Sequence, residues 1–328
     1  MSSERLIDLI MRDPMFDAGM KGDLDGIPII DCSNVGRYYY QETDQEHWDM
    51  VDFPNIAPPF ESFWLDFSAP QFVNSEEFGT RLWDKRISHW GFLCVGTKLG
   101  SPENRDGFMH MWSGHRMWEE TYREYIPLAT WGLDMWLHYR FDGLNFGPIW
   151  HWRTLIDERG QMLRMPDGKY VVSGLVVDRN YQHAIDNLAM KMGPDEAQTS
   201  AYNTVTPYLH TAMLSISFMH CRNVALQDVK PPLKTVHNKA QKRRGEKPYQ
   251  PLPYKVLAIQ PMKQIIKQTE RQHGVGTAKA MHIVRGNFAD YSEGRGLFGK
   301  LHGTFWRPQH VRGGSERGVT TKDYSIKL

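Results

Sequence analysis

Residues 89–97 read HWGFLCVGT, a short run of aromatic, β-branched and small residues punctuated by glycine. That composition predicts a β-strand. Runs of the same kind recur at 63–67, 108–112, 149–156 and 170–177, each bounded by Gly, Pro or Asp. Pro166-Asp167-Gly168 has the chemistry of a hairpin turn. Within this strand-rich stretch, 116–139 is predicted as a helix. There Trp118, Tyr122, Tyr125 and Trp136 supply bulk, and Pro127 breaks or kinks it.

Working outward, residues 5–11 carry apolar side chains at helical spacing, and 23–26 (DLDG) reads as a turn too incomplete for a calcium loop. Residues 38–59 are aromatic, acidic and Pro-containing, and are read as an irregular covering segment. Helices are predicted at 181–192 and 201–220, the second through Leu209, Met213, Ile216 and Met219, with Pro207 in its first turns or delaying its start. Strands are expected at 254–259, 280–285, 301–307 and 324–328, joined by Gly-rich turns. The fold class expected is α+β, with mostly antiparallel sheet, packed helices and a small basic C-terminal β region. Three regions follow: 1–229, acidic and aromatic-rich; 230–250, a basic loop or linker; and 251–328, basic, β-rich and packed on the first.

The chain has 328 residues, 41% hydrophobic and 23% charged, which is the range of folded proteins. Its net charge of +1 hides a strong asymmetry. Residues 1–229 hold 19 Lys and Arg against 32 Asp and Glu, whereas 230–328 hold 20 against 6. A basic segment of this kind points to an anionic partner, nucleic acid with RNA favoured, or to an acidic protein, including the acidic part of the same chain. The opening residues lack the pattern of a signal peptide, and no apolar run approaches 18 residues. A cytoplasmic protein without a membrane partner is therefore expected. Three widely spaced cysteines, Cys32, Cys94 and Cys221, fit neither a disulfide framework nor a thiolate zinc site.

Phosphate-loop, dinucleotide-fold, nucleophile-elbow, kinase and zinc-finger signatures are all missing, so no cofactor is implied. His110 and His115 with Glu119 and Glu120 lack the spacing of a metal site, and none is assigned. His220-Cys221 is read as the end of a buried helix. Asp134 and His138, four apart, are read as a hydrogen-bonded surface pair on the predicted helix.

The chemistry-bearing residues concentrate near the C-terminus. HIVRG at 282–286 and HVRG at 310–313 each join an imidazole, a guanidinium and a glycine. In a strand, His282 and Val284 share one face and Arg285 takes the other, while His310 and Arg312 share a face. Two histidines with a nearby cation are what metal-independent RNA cleavage requires, because imidazole titrates near neutrality and a cation stabilises the phosphorane. His282, His310 and Lys300 are the catalytic candidates. Arg285, Arg307, Arg312, Lys239, Lys242, Arg243 and Arg244 are the candidate nucleic-acid contacts. The same side chains also suit phosphate binding without cleavage, or plain structural roles in turns and strand edges.

SFMHCRNV at 217–224, HIVRGNFADY at 282–291, LFGKLHGTFW at 297–306, HVRG at 310–313 and Tyr324 form an ordered string. It resembles an uncharacterised family of proteins encoded by phages and bacterial genomes. In that pattern the position of Asn287 is usually His, so any role carried by that histidine has no counterpart here. The resemblance implies a phage or mobile-element accessory protein and no particular activity. The leading expectation is thus a nucleic-acid-interacting protein with ribonuclease character. Its rivals are a non-catalytic inhibitor or regulator of a host protein, and a self-assembling structural protein.

Overall fold

The structure is a computed structural model that describes residues 5–42 (except 15 and 17), 53–68, 87–110, 123–141, 143–233, 243, 245, 248–259, 280–284, 286–297, 299–307, 310–312 and 314–320. The fold is α+β, as the sequence implies. The chain divides into two units: unit 1 comprises residues 1–216 and 227–256, and unit 2 comprises 217–226 and 257–328.

In chain order the elements are α1 (Leu6–Arg12), α2 (Ala18–Leu24), β1 (Ile29–Asp31), α3 (Ser33–Glu42), β2 (Ser62–Ser68), β3 (Ile87–Lys98) and α4 (Pro102–His110). A 3-10 turn (Arg123–Leu128) then leads to β4 (Trp131–Phe141), β5 (Leu144–Ile156), β6 (Val172–Val176), α5 (Arg179–Met192), α6 (Pro194–Met219), β7 (Val224–Val229) and β8 (Tyr254–Ile259). One eight-stranded sheet has the order β6-β5-β4-β3-β2-β1-β8-β7. From β2 to β6 it is an antiparallel meander, and β1 pairs in parallel with both β2 and β8.

Alternation along the strands decides the layers. One face carries Phe63, Leu65 and Phe67 of β2, Trp90, Phe92 and Cys94 of β3, Met135 and Leu137 of β4, and Trp150 and Trp152 of β5, all buried. Against this face lies α6: the Trp90 indole donates to Thr211 Oγ1 at 3.2 Å and meets Tyr208 edge-on. Phe67 and Trp90 stack at 5.1 Å, and burial of such rings dominates the core energy. On the opposite face, α1 and α2 form a second cluster of Leu6, Ile7, Ile10, Leu24, Ile29 and Trp64.

That second face also holds buried charge. Asp134 accepts from His151 Nε2 and Arg153 Nε, each at 2.7 Å, and from Arg153 Nη2 at 3.1 Å. Asp134 and Arg153 are cross-strand partners, as are Trp136 and His151, whose rings stack at 4.6 Å. The Arg153 guanidinium also lies 4.3 Å over the Phe108 ring. Burial alone would raise the Asp134 carboxyl, but the His151 hydrogen bond and the Arg153 charge outweigh it, leaving Asp134 below the usual carboxylate range. His138, with no hydrogen-bond partner on either ring nitrogen among the described residues, is pushed down to about 3 by burial and is neutral.

Asp66, buried in β2, caps α1: its carboxylate accepts from the Leu6 and Ile7 backbone N–H groups and from the Trp64 indole. Burial, then the nearby Asp31 charge, raises it to about 7 against the opposing hydrogen bonds and Arg5.

Several expectations are corrected. Residues 131–139 form most of strand β4 rather than helix, because Leu133, Met135 and Leu137 alternate with Asp134, Trp136 and His138, and β3 and β5 pair on both sides. Asp134 and His138 are accordingly buried on a strand, not a surface helical pair. Phe108–His110 belongs to α4, and Tyr38–Glu42 to α3. Pro207 lies in the interior of α6, which starts at Pro194. Strand 254–259 joins the large sheet beside β1 instead of a C-terminal sheet.

Two outcomes are expected. Asp134→Ala leaves the Arg153 cation buried without its carboxylate and lowers unfolding free energy by about 3–5 kcal/mol, measured by denaturant titration. For Asp66 the folded value is raised, so its contribution to stability is full below about pH 4 and is lost as pH rises through about 7. The difference in unfolding free energy between the native protein and Asp66→Asn therefore shifts against the native protein from pH 4 to pH 8. A difference that stays flat contradicts this.

Candidate nucleic-acid interface

Unit 2 is the basic part of the molecule: its residues include 13 Lys and Arg against 5 Asp and Glu. Its strands are β9 (Ala280–Val284), β10 (Asn287–Asp290), β11 (Thr304–Arg307), β12 (His310–Arg312) and β13 (Gly314–Thr320). They form two small sheets, β10-β11 and β12-β9-β13.

The β10-β11 hairpin has an aromatic base. Phe288 and Trp306 are cross-strand partners 4.9 Å apart, and Phe218 packs against both, at 5.4 and 4.7 Å. Asn223 clamps the same place: its side-chain amide donates to the Trp306 carbonyl at 2.7 Å and its oxygen accepts the Trp306 N–H at 2.8 Å, all buried. The Arg222 N–H donates to the Thr304 carbonyl, so residues 222–223 hold β11 at both Thr304 and Trp306. Between the strands a tight turn forms around the Leu297–Leu301 bridge. Gly296, at φ +69°, is required there, since a Cβ would lie 2.9 Å from the Leu301 carbonyl oxygen. Lys300 is exposed on this turn. Arg307, opposite Asn287, lies 5.1 Å over the Tyr291 ring.

The other sheet carries the two histidines. β9 and β12 run antiparallel with Arg312 opposite His282 and His310 opposite Val284. Directly opposite residues and residues two apart share a face of a ladder. His282, His310 and Arg312 therefore occupy one face, with His282 facing Arg312 and His310 on its diagonal. On the far side of β9, Thr320 of β13 is the partner of His282, completing the row Arg312, His282, Thr320.

Of the expected site residues, the structure thus brings His282, His310 and Arg312 to one ladder. Arg307 belongs to the other sheet, Lys300 to the turn that joins its two strands, and Arg243 is exposed in unit 1. Arg285, Lys239, Lys242 and Arg244 lie outside the described residues, as does the strand expected at 324–328. Thr320 was not anticipated: β13 is glycine-rich, which masks its strand character. Among the described residues, no group of three or more His, Cys, Asp or Glu side chains is placed to hold a metal ion. Cys32, Cys94 and Cys221 are all buried free thiols.

No family model, curated protein or solved structure matches the chain. The sequence string that begins at Ser217 and resumes at 282–313 falls wholly in unit 2, on both sides of its 227–256 interruption.

Asn223→Ala removes both bonds to the Trp306 backbone and leaves a buried N–H and C=O unpaired. Unit 2 is expected to lose about 2–4 kcal/mol, seen as an earlier unfolding transition in hydrogen exchange of β11. Unchanged protection of Phe305 and Trp306 amides contradicts the clamp.

Proposed function

We infer that unit 2 binds RNA and cleaves it without a metal ion, with His282 and His310 as the acid–base pair and Arg312 as the phosphate contact. The observation that carries this reading is the β9-β12 register, which places all three on one face of a ladder in a basic unit. Across such a ladder, diagonal neighbours lie roughly 7–8 Å apart, a separation that leaves room for one phosphodiester between two imidazoles.

The chemistry balances with no other reactant. One neutral imidazole takes the proton of the ribose 2′-OH as that oxygen attacks phosphorus. The other, as imidazolium, gives its proton to the departing 5′-oxygen as the P–O5′ bond breaks. The products are a 2′,3′-cyclic phosphate and a free 5′-OH. Arg312 offsets charge on the phosphorane oxygens, which a guanidinium does through two parallel donors. Lys300, on an exposed turn of unit 2, supplies electrostatic affinity for the backbone. That part weakens as salt rises, because binding releases condensed counterions. The phage or mobile-element setting implied by the C-terminal string agrees with an activity against host or competitor transcripts.

The test is incubation with labelled single-stranded RNA, single-stranded DNA and duplex DNA in EDTA. RNA alone is expected to be cut, leaving cyclic-phosphate ends, and His282→Ala or His310→Ala is expected to slow cutting by about 10²–10⁴-fold. RNA that shifts on a gel but stays intact reduces the site to phosphate binding. If neither cleavage nor a shift occurs on any substrate, the RNA reading is wrong.

A further inference from the structure

The two antiparallel ladders of unit 2 share one register. The pairs Ile283 with Val311 and Phe288 with Trp306 have the same midpoint in sequence, so β9 and β10 form one arm of a long hairpin and β11 and β12 the other, with a break after Val284 and after Arg307. His282 and His310 stand on the part of the hairpin farther from its turn, which is the glycine-rich stretch SEGRGLFGKLHG at 292–303. From His302 on that turn to His310 the arm spans at most roughly 26 Å, at about 3.3 Å per residue.

The turn gathers donors and cations. The His302 imidazole is laid over Gly296, where a Cβ would come 3.1 Å from its Cε1 and Nε2. Arg222 is laid over Gly303 in the same way, its Cγ and Nε each 3.1 Å from a Cβ there. Both glycines have positive φ, +69° and +117°, so a side chain at either position would be strained and would press on the group above it. Arg295 and Lys300 stand on the same turn. Arg222, Arg295, Lys300 and His302 are all exposed, and among the described residues none of them has a side-chain hydrogen bond or ion pair. Of the two acids between 287 and 307, Asp290 is engaged by the N–H and hydroxyl of Ser292, and Glu293 is exposed.

The number of donors selects the ligand. Two guanidiniums, an ammonium and an imidazole offer more N–H groups than the two free oxygens of a phosphodiester can accept. A phosphomonoester presents three such oxygens and carries about −1.5 to −2 charge at neutral pH. We propose that this turn binds the terminal phosphate of an RNA strand, with Arg222, Arg295 and His302 donating to its oxygens and Lys300 adding charge. The inference rests on the RNA reading of the β9-β12 face and extends it to the kind of strand preferred. Held by its end at the turn, a strand reaches that face with an internal phosphodiester. Cutting there makes a cyclic phosphodiester and a 5′-hydroxyl, neither of them a monoester. The turn therefore distinguishes the original phosphorylated end of a strand from the ends that the protein itself makes.

The test uses the full chain and a 2′-O-methyl RNA, which lacks the attacking hydroxyl and stays whole, made with a 5′-phosphate, with a 3′-phosphate, or with hydroxyls at both ends. Binding is read by fluorescence anisotropy of an internal label. At least one phosphorylated strand is expected to bind about tenfold tighter than the hydroxyl strand, and which one it is names the end. Arg222→Ala and Arg295→Ala are each expected to bring that ratio close to one. Arg307→Ala takes the same charge from the same hairpin, and it is expected to weaken all three strands while keeping the ratio. A ratio near one in the native protein, a ratio that survives Arg222→Ala or Arg295→Ala, or a ratio lost equally in Arg307→Ala overturns the terminal-phosphate site. In those cases the hydroxyl strand still binds and the RNA reading stands. Failure of all three strands to bind removes both.

Discussion

The carboxylate of Asp66 is the point through which the N-terminal part of unit 1 is organised. It sits in the middle of the large sheet with almost no exposed surface. It holds the first two amides of α1 and the Trp64 indole, while its own carbonyl accepts the Cys32 N–H that leads out of β1. β1 is only three residues long, yet it joins the antiparallel meander to β8. Its position is supported on one side by these bonds. On the other, Arg5 just ahead of α1 donates to the Leu252 carbonyl and Asp8 of α1 accepts the Leu252 N–H, just ahead of β8. Neutralising helix-end amides with a buried acid is efficient, because a lone amide group in that place costs more than the bond returns.

The second buried acid does different work. Asp134 is matched by a guanidinium and an imidazole across one strand pair, with aromatic rings closing over both partners. Pairs of this kind specify register more than they add stability. A slip of β5 by one residue would carry Arg153 to the opposite, apolar face and strand Asp134. The long β3-β4-β5 ladder, otherwise rich in interchangeable apolar residues, thereby has one pairing that satisfies its charges.

Much of the architecture was legible in the letters. β2, β3, β5 and β6 announce themselves through aromatic and β-branched runs with breakers at their ends, and α1, α5 and α6 through their apolar spacing. β4 deceived because Trp136 continues the bulky series Trp118, Tyr122 and Tyr125 on which a helix over 116–139 is predicted, and Leu and Met are at home in helices. Only the alternation of Leu133, Met135 and Leu137, and the strands on either side, decide it. β1 is too short to carry a pattern, and β13 is diluted by glycine. At the proposed site, the spacing within each phrase was readable: His310 and Arg312 on one face. That His282 faces Arg312 depends on hydrogen bonds between strands far apart in sequence, which no local spacing encodes.

The boundaries between the units fall inside α6, β7 and β8, and the chain visits unit 2 at 217–226, returns to unit 1 for 227–256, and only then completes unit 2. On the ribosome, neither unit can finish before the other has begun. Unit 1 waits for residue 256, by which time the Phe218 and Asn223 half of the unit 2 hairpin base has long emerged without its Phe288 and Trp306 partners. A gene encoding such a plait cannot shed or acquire its basic unit by a single recombination at one end. The two parts are inherited as one, and a change of partner has to come by substitution on the surfaces rather than by exchange of modules.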